Sequence, residues 1–204
     1  MKPPILQPWT VLESRTTYRD HWMSLRTERC QRNDGQLIEA YHILEFSDWI
    51  NVIALTEDQE LVLVREYRHA AAKILLGLPS GTLDANELPL HTAQRELGEE
   101  TGYHAKTWYS LGNYYANPAT QKNRVHSFLA LDAYPGQATQ WDEAEQIETV
   151  LLPLRDLPQQ LGQGEFDLQG LHVSALFLAA RFALANQLPQ LAQALLGHAI
   201  PNPA

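Results

Sequence analysis

Apolar positions along the chain follow two periods. From Trp9 to Phe46 they are interspersed with polar residues, and "WTVLESRTTYR" and "WMSLRTERCQ" carry the Thr, Val and aromatic residues that favour strands. "NDG", Asn33 to Gly35, is a hairpin turn signal, and "QLIEAYHILEF" reads as the return strand. "WINVIALT", the polar turn "EDQE" and "LVLVREYR" form a second hairpin, whose unbroken apolar runs predict strands buried on both faces. The period then changes. Leu90, Ala93, Leu97 and Thr101 recur at helical spacing from Pro89 to Thr101, and Gly102 stands where a helix-ending residue belongs. "WYSLGNYYANPATQKNRVHSFLALDAY" predicts strand, loop and strand, and "IETVLLPL" another strand. "LHVSALFLAARFALANQ" predicts an amphipathic helix, with a shorter one after Pro189. Strands first, one helix in the middle and helices at the end predict an α/β protein, an α+β sandwich with a mixed sheet between helices. Residues 1–45 are expected to form an N-terminal antiparallel β arm, and residues 46–204 the main domain.

Charge narrows the partners. Fifteen Lys and Arg stand against 24 Asp and Glu, a net charge of −9 in 204 residues. That balance speaks against nucleic-acid or anionic-membrane binding, which both rest on Lys and Arg. The single Cys30 cannot form an internal disulfide, so a reducing compartment is expected. "MKPPILQPWT" has no apolar run of signal-peptide length, and "SALFLAARFALA" is interrupted by Arg181 and too short to span a bilayer. The expected place is the cytoplasm.

The acids are not spread evenly. Glu96, Glu99 and Glu100 fall within five residues of the central helix. At about 100° per residue, Glu96 and Glu100 lie about 40° apart and Glu99 about 60° to the other side of Glu96. All three share one edge, beside a stripe of Leu90, Ala93 and Leu97 expected to be buried. A solvated acidic face explains most such trios. Here the like charges repel one turn apart, and they occupy the last helical turn, where the backbone dipole favours cations. Arg95 can pair with Glu99 at i+4 and relieve part of this. A divalent cation would relieve the rest.

Gly81, Glu87, Arg95, Glu96, Leu97, Glu99, Glu100, Gly102 and Tyr103 together resemble the Nudix hydrolase box, G-x5-E-x7-R-E-U-x-E-E-x-G-U with U apolar, without a gap. The resemblance implies the Nudix fold and Mg²⁺, with Mn²⁺ as a substitute, bound against a substrate diphosphate. It makes Glu96 and Glu100 the leading metal ligands, Glu99 a third with a catalytic role, and the Ser80 carbonyl a backbone ligand. Glu87 and Arg95 are expected to brace the loop against each other. Gly81 would permit the turn into the site. Gly98 occupies a free position of the box, where Gly costs about 1 kcal/mol against Ala.

The flanks point to a subgroup. "LVLVREYRHAAAKILLGLPSG" resembles the strand and "LPAG" loop of Nudix ADP-ribose pyrophosphatases, which places Arg68 on the phosphate-contacting arginine, with Arg65 the weaker candidate. Pro118, 16 residues after Gly102, is similar to the proline that marks hydrolases of ADP-ribose and related nucleotide sugars. "WTVLESRTTYRDHWMSL" resembles the arm through which dimeric members exchange contacts, with Trp9 and Trp22 where tryptophans stack on the base. "WDEAEQIETV" supplies Asp142, Glu143 and Glu145 where the subgroup carries the carboxylate that activates water. One position departs from the pattern: Gly77 stands where the subgroup often has Glu. The resemblance thus implies a homodimeric hydrolase that splits ADP-ribose or a related nucleoside diphosphate sugar into a nucleoside monophosphate and a sugar phosphate. Two alternatives stay open. One is another Nudix substrate class: GDP-mannose or UDP-sugars, dinucleotides, or nucleoside triphosphates. The other is a regulator that binds ADP-ribose without cutting it, although the stretch after Leu151 holds only Arg155 and Arg181 as basic residues and is a poor DNA ligand.

Overall fold

In this computed structural model, residues 6–136, 139, 146–163 and 168–196 are described. The chain divides into two compact units, Met1–Ser47 with Tyr115–Arg124, and Asp48–Tyr114 with Val125–Ala204.

The first unit is an antiparallel sheet of β1 (Thr10–Arg19), β2 (Ser24–Gln31) and β3 (Leu37–Glu45) in that spatial order. The "NDG" signal turns the chain between β2 and β3. Gly35 takes a φ of +86°, which a glycine adopts without strain, and Asp34 accepts the Gln36 N–H at 3.1 Å. β2 holds most of the buried residues, Cys30 among them, whereas every residue of β1 is exposed. The segment 115–124 is tied to β3: the Tyr41 hydroxyl donates to the Ala119 carbonyl at 2.6 Å, and Lys122 pairs with Glu45 at 3.1 Å.

The second unit is built on a sheet in the order β10-β5-β4-β9-β8. Its strands are β4 (Trp49–Thr56), β5 (Glu60–Arg68), β8 (Tyr103–Tyr115), β9 (Arg124–Pro135) and β10 (Ile147–Pro153), with β6 (Lys73–Gly77) beside β5 and β7 (Ser80–Thr82) beside β4. β4 runs parallel to β9 and antiparallel to β5, so the sheet is mixed. The apolar runs of β4 and β5 are buried on both faces, as their lack of alternation predicts. Ile50, Val52 and Ala54 pack with Ala93 and Leu97 of α1 (Pro89–Thr101). Ile53 and Leu55 face the other way, against α3 (Gly170–Ala185) and α4 (Pro189–Leu196). The α2 helix (Leu157–Gln163) and the short strands β6 and β7 go beyond the elements read from the sequence. Among the described residues, no helix is long and apolar enough to cross a membrane.

Candidate active site

Pro89 opens α1 at a position where a missing N–H costs nothing, and Gly102 closes it at φ 74°, donating its N–H to the Gly98 carbonyl at 2.8 Å. The buried face of this helix differs from the expected stripe. Ala93 and Leu97 are buried with Thr92, Gly98, Glu100 and Thr101, whereas Leu90 is 37% exposed. Glu100, seven residues after Ala93, therefore belongs to the inward face, and it is only 4% exposed. A solvated acidic face is ruled out for this residue.

Glu100 accepts a hydrogen bond from the Ser80 backbone N–H at 3.0 Å, which ties the helix to β7. A Cβ on Gly81 would lie 2.0 Å from the Glu96 carboxylate, so Gly81 is needed because Glu96 occupies the space a side chain would take. Arg95 gathers the remaining acids. Its guanidinium reaches Glu99 at 2.8 Å, Glu96 at 3.0 Å and Glu87 at 3.2 Å. Burial pulls the Arg95 pKa down, but the hydrogen bonds to Glu87 and Glu99 outweigh it and the net shift is upward. The Arg95 hydrogen bond holds Glu87 below the ordinary carboxylate value. Among the described residues, no three acidic, His or Cys side chains converge as a ready metal cage. Two enclosed carboxylates beside the Ser80 backbone instead suit a hard ion that fills its other positions with water and phosphate oxygens.

Arg68 ends β5 and lines a cleft of about 160 Å³ with Asn51, Ser80, Gly81, Thr82 and Gln169. It pairs with Glu66, so it has an internal partner as well as access to the cleft. Arg65 faces Glu148 across the sheet at 2.8 Å, an exposed pair that accounts for it. Ser80, Glu96, Glu99, Glu100 and Arg68 all lie in the second unit; Trp9, Trp22 and Pro118 lie in the first. Trp9 is 44% exposed with its edge on the Tyr41 ring, Trp22 is 71% exposed, and Pro118 sits in a turn closed by Thr120 N–H on the Asn117 carbonyl. Asp142, Glu143 and Glu145 lie outside the described residues.

The structure also supplies a reason for Gly77. The ring of His172 fills the space beside it, and a Cβ at residue 77 would meet His172 Cε1 at 2.9 Å. His172 Nδ1 accepts the Leu78 N–H at 3.2 Å and so holds the strand that leads to Ser80. Sequence reading missed this pair, since one small and one ambivalent residue 95 positions apart carry no local signal. Gly77→Glu is expected to lower the melting temperature through overpacking, by about 1–3 kcal/mol of stability, and His172→Ala in the same chain should restore part of it. Acid has a related effect. Burial, with Arg68 nearby, pushes His172 down to about 4 from 6.5. Between those values the unfolded chain binds the proton and the folded one does not, so stability falls as pH drops, by roughly 3 kcal/mol in all. His172→Gln should flatten the melting temperature against pH in that window; an unchanged slope would assign the acid sensitivity elsewhere.

The NUDIX domain family matches residues 48–170, and the nucleoside diphosphate sugar hydrolase N-terminal domain matches residues 9–44. An ADP-ribose pyrophosphatase of Bacillus subtilis is 32% identical over 108 residues, 52% of this chain and 58% of that one. An ADP compounds hydrolase of Escherichia coli is 32% identical over 121 residues, 59% of this chain and 64% of that one. Both matches span under two thirds of the relative's own length. A solved ADP compounds hydrolase superposes with a TM-score of 0.79 at 25% identity, covering 90% of this chain and 98% of that one.

Proposed function

The chain belongs to the Nudix family, and from that membership we propose that it hydrolyses the diphosphate of ADP-ribose or a closely related nucleoside diphosphate sugar in the presence of Mg²⁺. The observation that carries this reading is the pair of enclosed carboxylates, Glu96 and Glu100, set against the Ser80–Gly81 backbone. Glu96, Glu100 and the Ser80 carbonyl would hold the ion, with Glu99 reaching it on release from Arg95. Once bound, Mg²⁺ would polarise phosphoryl oxygens and lower the pKa of a water. Arg68 offsets the charge that builds on the departing phosphate. Glu143 or Glu145 accepts the proton of the attacking water. With ADP-ribose the products are AMP and ribose 5-phosphate. The deciding experiment is a panel of nucleoside diphosphate sugars with Mg²⁺, read as released phosphomonoester. ADP-ribose should lead the panel. Release from a GDP- or UDP-sugar alone would move the substrate class, and release from none would overturn the reading.

The first unit supports a homodimer. Trp9, Val11, Leu12 and Tyr18 are between 44% and 52% exposed along or beside β1, an apolar surface of the kind that marks partner sites. The expected solution mass is twice the 23.1 kDa chain. Stacking on a base is worth about 1–3 kcal/mol, so Trp9→Ala or Trp22→Ala should raise KM roughly 5- to 150-fold with kcat changed much less. A monomer with full activity after removal of residues 1–35 would reduce both Trp residues to packing.

A further inference from the structure

Asn51 interrupts the most apolar strand of the protein. It alternates along β4 with Ile53 and Leu55, which enter the core against α3 and α4, so its side chain lies on that face of the sheet. It is 1% exposed, and neither Oδ1 nor Nδ2 has a hydrogen-bond partner among the described residues. Asn123 shows the same shortage, but Asn51 alone also lines the cleft that holds Arg68 and the Ser80–Gly81 backbone. Burying an amide without partners costs stability, and leucine, of similar size, would avoid that cost. Retaining such a group at the wall of a cleft is the signature of a ligand that completes it.

We propose that Asn51 reads the sugar of the substrate, its Oδ1 accepting from one hydroxyl and its Nδ2 donating to another. This rests on the hydrolase reading above and adds a specificity residue to it. Sugar hydroxyls both donate and accept, which meets the two unpaired atoms of Asn51 together, as an adenine edge also would. Two features select the sugar over the base. Arg68 in the same cleft offers a cation to the phosphate that the sugar carries. At about 160 Å³ the cleft is small beside the roughly 300–1,000 Å³ of pockets that take drug-sized ligands, and it suits one sugar ring.

The test uses the full chain, with ribose 5-phosphate and AMP as separate probes, in titration calorimetry and as product inhibitors. Asn51→Leu should weaken ribose 5-phosphate at least tenfold and leave AMP within twofold. It should raise KM for the nucleotide sugar more than it lowers kcat. Without ligand, its melting temperature should exceed that of the parent by about 2–6 °C, because the buried amide is gone. Equal weakening of both products, no weakening of either, or no ribose 5-phosphate binding by the parent would overturn the proposal. A lower melting temperature with unchanged sugar-phosphate binding would also overturn it, and would assign Asn51 to a buried water. Failure here is separable from failure of the hydrolase reading. If the panel assay finds no hydrolysis while ribose 5-phosphate binding still depends on Asn51, the pocket stands and the reaction falls. If hydrolysis is normal in Asn51→Leu, only this inference falls.

Discussion

Glu100→Gln is expected to keep the fold and lose at least two orders of magnitude in turnover, the scale of removing a key electrostatic group from an active site. The substitution nearly preserves volume, which matters because Glu100 is almost fully enclosed on the inner face of α1. The glutamine Oε1 can still accept the Ser80 N–H, so the tie between helix and β7 persists. What disappears is one negative charge at the place proposed for Mg²⁺, and with it much of the attraction for a divalent ion. The measurement is kcat at saturating Mg²⁺, alongside a melting curve. Near-normal turnover from a folded variant would remove Glu100 from the ligand set. A collapsed melting curve would instead show that the charge serves folding.

The two central strands and α1 were legible because burial decides them locally. An apolar run flanked by "EDQE" has little choice but to be an interior hairpin, and Pro89 with Gly102 brackets the helix. The box residues were legible for the same reason, since helical spacing alone brings Glu96, Glu99 and Glu100 to one edge. What spacing could not give is which part of that edge faces inward. Leu90 lies in the first turn and stays exposed, while Glu100 turns in because β7 offers it a backbone N–H. The strands β6 and β7, five and three residues long, are too short to show a strand period of their own. Their pairing with β5 and β4, which local composition does not record, makes them strands. The role of Gly81 is equally non-local, being set by a carboxylate 15 residues further on. Asn51 did leave a sequence signal, a lone amide in "WINVIALT", but only its buried surroundings give that signal a meaning.

Arg95→Ala should destabilise the protein before any substrate is added, and Mg²⁺ should recover more of the loss in the variant than it adds to the parent. Arg95 is the cation around which Glu87, Glu96 and Glu99 are held, with Glu96 the most enclosed at 13% side-chain exposure. Removing one member of a fully buried charge network costs about 3–5 kcal/mol, but the Arg95 side chain is 32% exposed, so water screens part of that. A loss of roughly 2–3 kcal/mol follows, or about 4–12 °C in melting temperature for a chain of this size. Arg95→Lys should recover only part, because one ammonium cannot span three carboxylates as a planar guanidinium does. The contrast with Arg68 is one of degree, since Arg68 also has an internal partner in Glu66. Arg68→Ala should lose less stability and more of its effect should fall on the bound substrate. Melting curves of the two variants in EDTA and in Mg²⁺ separate the roles. The same small loss in both, with no extra Mg²⁺ response in Arg95→Ala, would mean that the acids around Arg95 are screened by water alone and need neither cation.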